Sequence, residues 1–169
     1  KSEQQSVAYS DERRMYMKDI LIQSAGLSDF ETLMKWRMEV LHDVFSIPAE
    51  VDTSALEEAN RAYYQQSLED GSHIACFALQ NDEVVGCGGI CLQREMPSPD
   101  NRNGLCGYLM NIYVRPDNRQ KGIGKEIVKW LIHQARERHV TKIYLETSES
   151  GQSLYQELGF AKIENYMKL

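Results

Sequence analysis

The residues whose types and spacing are best suited to chemistry lie in Arg119-Gln120-Lys121-Gly122-Ile123-Gly124. A glycine-containing turn entering a helix exposes backbone N–H groups that lack intrahelical partners. With the positive end of the helix dipole, these groups bind anions, phosphate in particular. Arg115, Arg119, Lys121 and Lys125 crowd the same point, in a chain whose formal net charge is −6. The plainer alternative is a solvated loop, with glycines for turning and lysines for solubility. Two familiar phosphate loops fail here. A Walker A loop needs Ser or Thr after Gly124-Lys125, where Glu126 stands, and a glycine where Arg119 stands. A dinucleotide fingerprint needs a third glycine at Ile127.

A strand over Gly107–Val114 must deliver this turn. The helix after it carries Ile123, Ile127, Leu131 and Ala135 on one stripe, widened by Val128 and Ile132. Upstream, Tyr16–Ser24 reads as a strand. Ser28, with Glu31 as capping-box partner, opens a helix bearing Leu33, Trp36, Arg37, Val40 and Leu41. A second helix is expected over Thr53–Leu68. His73–Leu79 and Glu83–Leu92 form a hairpin, with Gly86, Gly88 and Gly89 marking a bulge or a close backbone contact. Residues 94–106 are irregular, and Met96-Pro97 could close over a substrate. Lys142–Thr147 reads as a strand, Gln152–Leu158 as a short helix stopped by Gly159, and Phe160–Leu169 as strand-like. The order is β-α-α-β-β-β-α-β-α-β. Residues 1–15 form a polar extension, and residues 16–169 one mixed α/β domain in which helices flank a sheet.

Composition narrows the function. With 169 residues, 42% hydrophobic and 26% charged, the chain is globular rather than disordered. No apolar run approaches the ~20 residues of a membrane-spanning helix. The acidic balance argues against nucleic-acid binding, which wants a basic face. Cys76, Cys87, Cys91 and Cys106 are expected as reduced, packed thiols in a cytoplasmic protein, and no metal-ligand spacing is present.

The strand N-I-Y-V-R-P, the R-x-x-G-x-G of Arg119, Gly122 and Gly124, and the downstream S-L-Y-Q-E-L-G-F of Ser153–Phe160 together resemble the GNAT superfamily of N-acetyltransferases. The likeness covers nearly all of the chain after the extension. It implies a mostly antiparallel mixed sheet whose fourth and fifth strands splay apart. It implies acetyl-CoA as acyl donor and a primary amine of a small molecule as acceptor, with direct attack in a ternary complex. A protein lysine or N-terminal amine is the rival acceptor; a non-catalytic acyl-CoA-binding module is the rival of another class. A monomer or a homodimer fits equally.

By that resemblance, the amides of Gln120, Lys121, Gly122, Ile123 and Gly124 cradle the pyrophosphate, with Arg119 and Lys125 nearby. The main chain of Ile112-Tyr113-Val114 pairs with the pantetheine arm. Tyr155 matches the tyrosine that protonates the departing thiolate; its alternative is a half-buried aromatic. An asparagine common near the last helix is absent, and Ser150 either replaces it or caps that helix. The fourth strand lacks a carboxylate, so the base is left to Glu146, Glu95, or a water relayed through Asn111. Trp36, Arg37, His42, Glu95, Met96, Asn111 and Tyr113 are the candidates for the acceptor pocket, Trp36 competing with a core role. Arg37 and Arg102 suit a carboxylate-bearing acceptor and Glu95 a cationic one.

Overall fold

The computed structural model describes residues 20–164 and 166–168; the polar extension and the expected start of the first strand lie outside them. The strands are β1 (Leu21–Ala25), β2 (His73–Gln80), β3 (Glu83–Arg94), β4 (Leu105–Val114) and β5 (Lys142–Leu145). The helices are α1 (Phe30–Val44), α2 (Ser54–Glu69), α3 (Ile123–Glu137) and the short α4 (Gln152–Glu157). The sheet order is β1-β2-β3-β4-β5. Every pair is antiparallel except β4–β5, which is parallel.

Alternation along the strands gives the sheet two apolar faces. Ile74, Cys76, Ala78, Ile90 and Leu109 pack against Ile123, Ile127, Val128, Leu131 and Ala135 of α3. Ala75, Phe77, Cys87 and Tyr113 pack on the other side with Leu33, Met34, Trp36 and Val40 of α1 and Tyr64 of α2.

Two local features set where the helices and strand β4 lie. A Cβ on Gly88 would stand 2.4 Å from Ile127 Cγ2 and 3.1 Å from Leu131 Cδ1. Glycine there lets α3 lie against the backbone of β3. Opposite it, Cys87 pairs with Tyr113 and Gly89 with Met110, so Gly88 alone faces both Asn111 and Ile112. This is a bulge with its extra residue on β4, and Asn111 takes a φ of 58° to accommodate it.

Three expectations are corrected. Ser28 does not cap α1: Leu27–Asp29 forms a 3-10 turn in which the Gly26 N–H donates to Asp29 Oδ2 at 3.0 Å. Glu31 instead takes a bidentate bond from Arg61 of α2, because the two helices lie side by side. Phe160–Leu169 supplies no strand among its described residues. The chain leaves α4 with the Phe160 and Gly159 N–H groups donating to Tyr155 and Gln156 carbonyls, and Ala161–Glu164 then runs exposed. Ser150 does not cap α4: its hydroxyl shares a 3.0 Å bond with Ser148 Oγ, inside a 3-10 turn.

His73, 4% exposed, is a buried polar residue of the α1/α2 face. It lies over Gly89, whose missing Cβ would meet its Nε2 at 2.5 Å, and its Nδ1 shares a 3.0 Å bond with the Tyr63 hydroxyl. Burial, reinforced by the charge of Arg37, pushes the imidazole down to about 4. The unfolded chain therefore binds a proton that the folded one refuses as pH falls from about 6.5 to about 4.

Two outcomes are expected. Gly88→Val should lower unfolding free energy in urea by about 1–3 kcal/mol through overpacking against α3. Gly26→Ala, with nothing within 4 Å of the new methyl, should stay within about 0.5 kcal/mol. The wild type should also lose about 3 kcal/mol between pH 7 and pH 4 from His73 alone. His73→Asn should remove that part of the acid sensitivity, and equal slopes for the two proteins would contradict it.

Candidate active site

β4 and β5 pair from Cys106↔Lys142 to Leu109↔Leu145, and there β5 ends while β4 runs on to Val114. Met110–Val114 therefore has β3 on one side and, among the described residues, no strand on the other. Successive residues direct their peptides to opposite neighbours. The Arg115 N–H donates to Val85 of β3, so the peptides of Val114 and Ile112 face the open side. This is the expected splay, and the expected segment of main chain lines it.

Beyond Val114, a 3-10 turn at Pro116–Asn118 leads into the glycine turn. Gln120 and Gly122 both take positive φ, 61° and 80°. Nothing crowds Gly122, so glycine serves there for its left-handed backbone. A Cβ on Gly124 would lie 3.2 Å from Leu154 Cδ1, so glycine serves there for the close approach of α4. Gly122 is the N-cap of α3 and offers no side-chain cap. Among the described residues, the amides from Gln120 to Lys125 donate to no protein acceptor, and Glu126 N–H is the first to bond back, to Gly122 O. The main chain thus presents free N–H groups at the turn where the sequence reading expects an anion cradle.

The basic side chains are more committed than their clustering suggests. Arg115 grips Glu39 through two 2.9 Å bonds and lies 4.3 Å over the Trp36 ring. Arg119 donates to Val114 O at 2.9 Å and to Asp43 at 3.1 Å, fastening the turn to the end of β4 and to α1. Lys121 bonds the Asp117 carbonyl and Lys125 bonds Glu157. The exposed contacts of Arg119, Lys121 and Lys125 are weak enough to be exchanged for a phosphate.

Tyr155 is half-buried, in T-shaped contact with Phe160. Burial raises its pKa, which keeps the phenol protonated at neutral pH. It lines a cleft of about 680 Å³ beside β5 with Ile132, Leu145 and Glu146, and none of Arg119–Lys125 lines that cleft. Glu146 follows β5 directly and is exposed. Glu95 lies at the other end of the sheet, past the Arg94↔Leu105 pair, about 17 Å of strand from Met110 at ~3.4 Å per residue. The Lys142 ammonium 2.8 Å away holds its carboxyl below the usual range. Met96 is 90% exposed in the same loop, so the structure brings neither residue to the open segment.

On the α1/α2 face, a pocket of about 180 Å³ abuts the bulge. Arg37 and Asn111 are in it, as the sequence suggests. Arg37 Nη1 donates to Asn111 Oδ1 and Nε to Asn60 Oδ1, both at 2.9 Å. Trp36 is not: at 3% exposed, edge-on to Tyr113 and beneath Arg115, it belongs to the core. Tyr113 likewise turns its ring inward, and His42 bonds the Ile47 carbonyl at the end of α1. Asn60, Tyr63, Tyr64, His73 and Met110 complete the pocket and are missed by the sequence reading. Asn60, Tyr63 and Tyr64 fall on one face of α2 by helical spacing, which is the signal that could have found them.

Residues 33–160 match the model of the acetyltransferase (GNAT) family. A curated relative, glucosamine 6-phosphate N-acetyltransferase of Schizosaccharomyces pombe, is 30% identical over 112 residues, 66% of this chain and 91% of that protein. The enzyme of the same name from Trypanosoma brucei brucei is 28% identical over 69% of this chain and 76% of its own. Among solved structures, a predicted acetyltransferase from Clostridium acetobutylicum with acetyl-CoA superposes with a TM-score of 0.79. It is 25% identical, over 89% of this chain and 95% of that one. The chain belongs to the GNAT family of acetyltransferases and is an acyltransferase enzyme.

Proposed function

We propose that the chain transfers an acetyl group from acetyl-CoA to a primary amine of a small molecule, by direct attack with both substrates bound. The observation that carries this is the pairing of two sets of backbone donors without a protein acceptor among the described residues. One lies on the open edge of β4 at Ile112 and Val114 and the other at the amides of Gln120–Lys125, joined by the short turn at Pro116–Asn118. The first set suits an amide-bearing arm, which adds to a free strand edge as a peptide would. The second suits a pyrophosphate at a helix N-terminus. Acetyl-CoA contains both, joined in that order, and supplies a thioester carbonyl open to an amine.

The chain's own residues divide the remaining work. Peptide N–H groups at the bulge are available to the carbonyl oxygen as charge builds on it, an oxyanion-type role. Tyr155 gives its proton to the sulfur as the thiolate departs. Glu146, at the parting of β4 and β5, takes the amine's proton, directly or through water. Glu95 is left out, since it is tied to Lys142 at the far end of the sheet. The named relatives act on an amino sugar phosphate, which supports a small-molecule acceptor.

Thiol release from acetyl-CoA with a panel of small amines, alongside calorimetric titration, tests this reading. Micromolar acetyl-CoA binding and amine-dependent release are expected. Tyr155→Phe should lower kcat by about 10²-fold or more with the acetyl-CoA Kd nearly unchanged. Glu146→Gln should lower kcat by about 10²-fold or more with the acetyl-CoA Kd nearly unchanged. Binding without turnover for any amine would favour a non-catalytic acyl-CoA-binding module, and no binding would refute both.

A further inference from the structure

We infer that Arg37 is the anchor for an anionic group, a carboxylate or a phosphate, on the amine acceptor, received in the pocket that abuts the β4 bulge. The inference rests on the acetyl-transfer reading above and names the acceptor class for that same site.

Arg37 differs from the other arginines of this face in having no counter-charge. Arg61, Arg115 and Arg119 each pair with a carboxylate. Among the described residues Arg37 forms no ion pair, although it is half-buried. A cation withdrawn from water ordinarily has an anion beside it. Its hydrogen bonds go instead to two neutral carboxamide oxygens, Asn60 Oδ1 and Asn111 Oδ1. Asn60 is itself oriented by donating Nδ2 to the Leu56 carbonyl at 2.8 Å. The two amides hold the guanidinium in place without neutralising it. Of its five N–H donors, both on Nη2 and one on Nη1 have no acceptor among the described residues.

The rest of the pocket leaves that charge uncompensated. Its other titratable side chains are Tyr63, Tyr64 and His73. Burial raises both phenols, Tyr64 to about 12, and holds His73 neutral, so no negative charge forms there at pH 7. The charge of Arg37 adds to the fall at His73 and offsets part of the rise that burial causes at Tyr64. At about 180 Å³ the pocket has the volume of about six waters, room for an oxyanion group against the Arg37 donors. The rest of a larger acceptor extends out of it. Asn111, which accepts from Arg37, is the bulged residue beside which β4 loses its β5 partner. An anion on Arg37 therefore fixes one end of the acceptor next to the segment where the acyl group is received.

Matched acceptors test this. An amino acid against its carboxamide, and an amino sugar phosphate against the free amino sugar, would be assayed with wild type, Arg37→Lys and Arg37→Gln. One pair should show a preference for its charged member of about 10–100-fold in kcat/KM, carried by KM. Which pair responds distinguishes carboxylate from phosphate. Arg37→Gln should abolish the preference with the acetyl-CoA Kd within about twofold, and Arg37→Lys should retain part of it. A preference that survives Arg37→Gln, or charged and neutral members used equally by the wild type, would overturn the inference.

A binding arm needs no turnover. Acetate or inorganic phosphate titrated into the CoA-saturated protein should shift the Arg37 Nε–H resonance saturably, that signal being assigned by its loss in Arg37→Lys. A flat response to both anions would overturn the inference. Failure of the acetyl-transfer reading would show separately, as no binding of acetyl-CoA.

Discussion

Between Met110 and Val114, β4 has, among the described residues, a neighbouring strand on one side only, and the structure around the site follows from the peptide groups left on the other. β5 ends after four pairs because Glu146 and Thr147 turn away into the approach to α4. β4 continues because β3 holds it in antiparallel register up to Val114. A backbone donor kept from both water and protein costs about 1–3 kcal/mol, so such an edge persists only where solvent or a ligand reaches it. The bulge at Asn111 sharpens the parting, since its extra residue twists β4 locally.

The glycine turn depends on the same strand. Arg119 closes onto the Val114 carbonyl and Asp43, so the turn starts where the open edge ends. α3 then points its N-terminus at that place, and it can lie there because Gly86 and Gly88 let Ile127 reach the backbone of β3. A core packing feature thereby aims a helix dipole, equivalent to about half a positive charge. The acidic chain needs no basic surface to bind a polyanionic partner. The positive character is built first from peptide dipoles, and the lysines around it, bonded to Glu157 and the Asp117 carbonyl, add charge only by exchanging those exposed contacts.

The two faces of the sheet have separate duties, which explains what the sequence reveals and what it hides. Features set by local patterning are legible: the α3 stripe, the glycine turn, and the hairpin of β2 and β3; the open run of Ile112–Val114 is reached only through the family resemblance. The role of the β3 glycines as a place of close approach is legible too. Features set by long-range pairing are not. Glu31 could cap α1 in isolation, but Arg61 lies near it only after α1 and α2 pack. Trp36 and Arg37 are neighbours in sequence, yet helical spacing sends one into the core and the other into the pocket. The pocket itself draws on α1, α2, β2 and β4, and no local pattern announces such a set. The strand expected after Gly159 fails for a related reason: the apolar residues Phe160 and Ile163 are present, but nothing local ensures that they pair with β5.

The central claim is that the open edge of β4 and the amides of the glycine turn together receive acetyl-CoA, and amide-resolved NMR reads it most directly. On titration with acetyl-CoA, the amides of Ile112, Val114 and Gln120–Lys125 should shift together along one saturation curve and gain protection from hydrogen exchange. Desulfo-CoA should reproduce most of these shifts, since pyrophosphate and pantetheine make them. Shifts confined to the cleft lined by Ile143, Tyr155 and Ile163, with the glycine turn unmoved, would contradict the account.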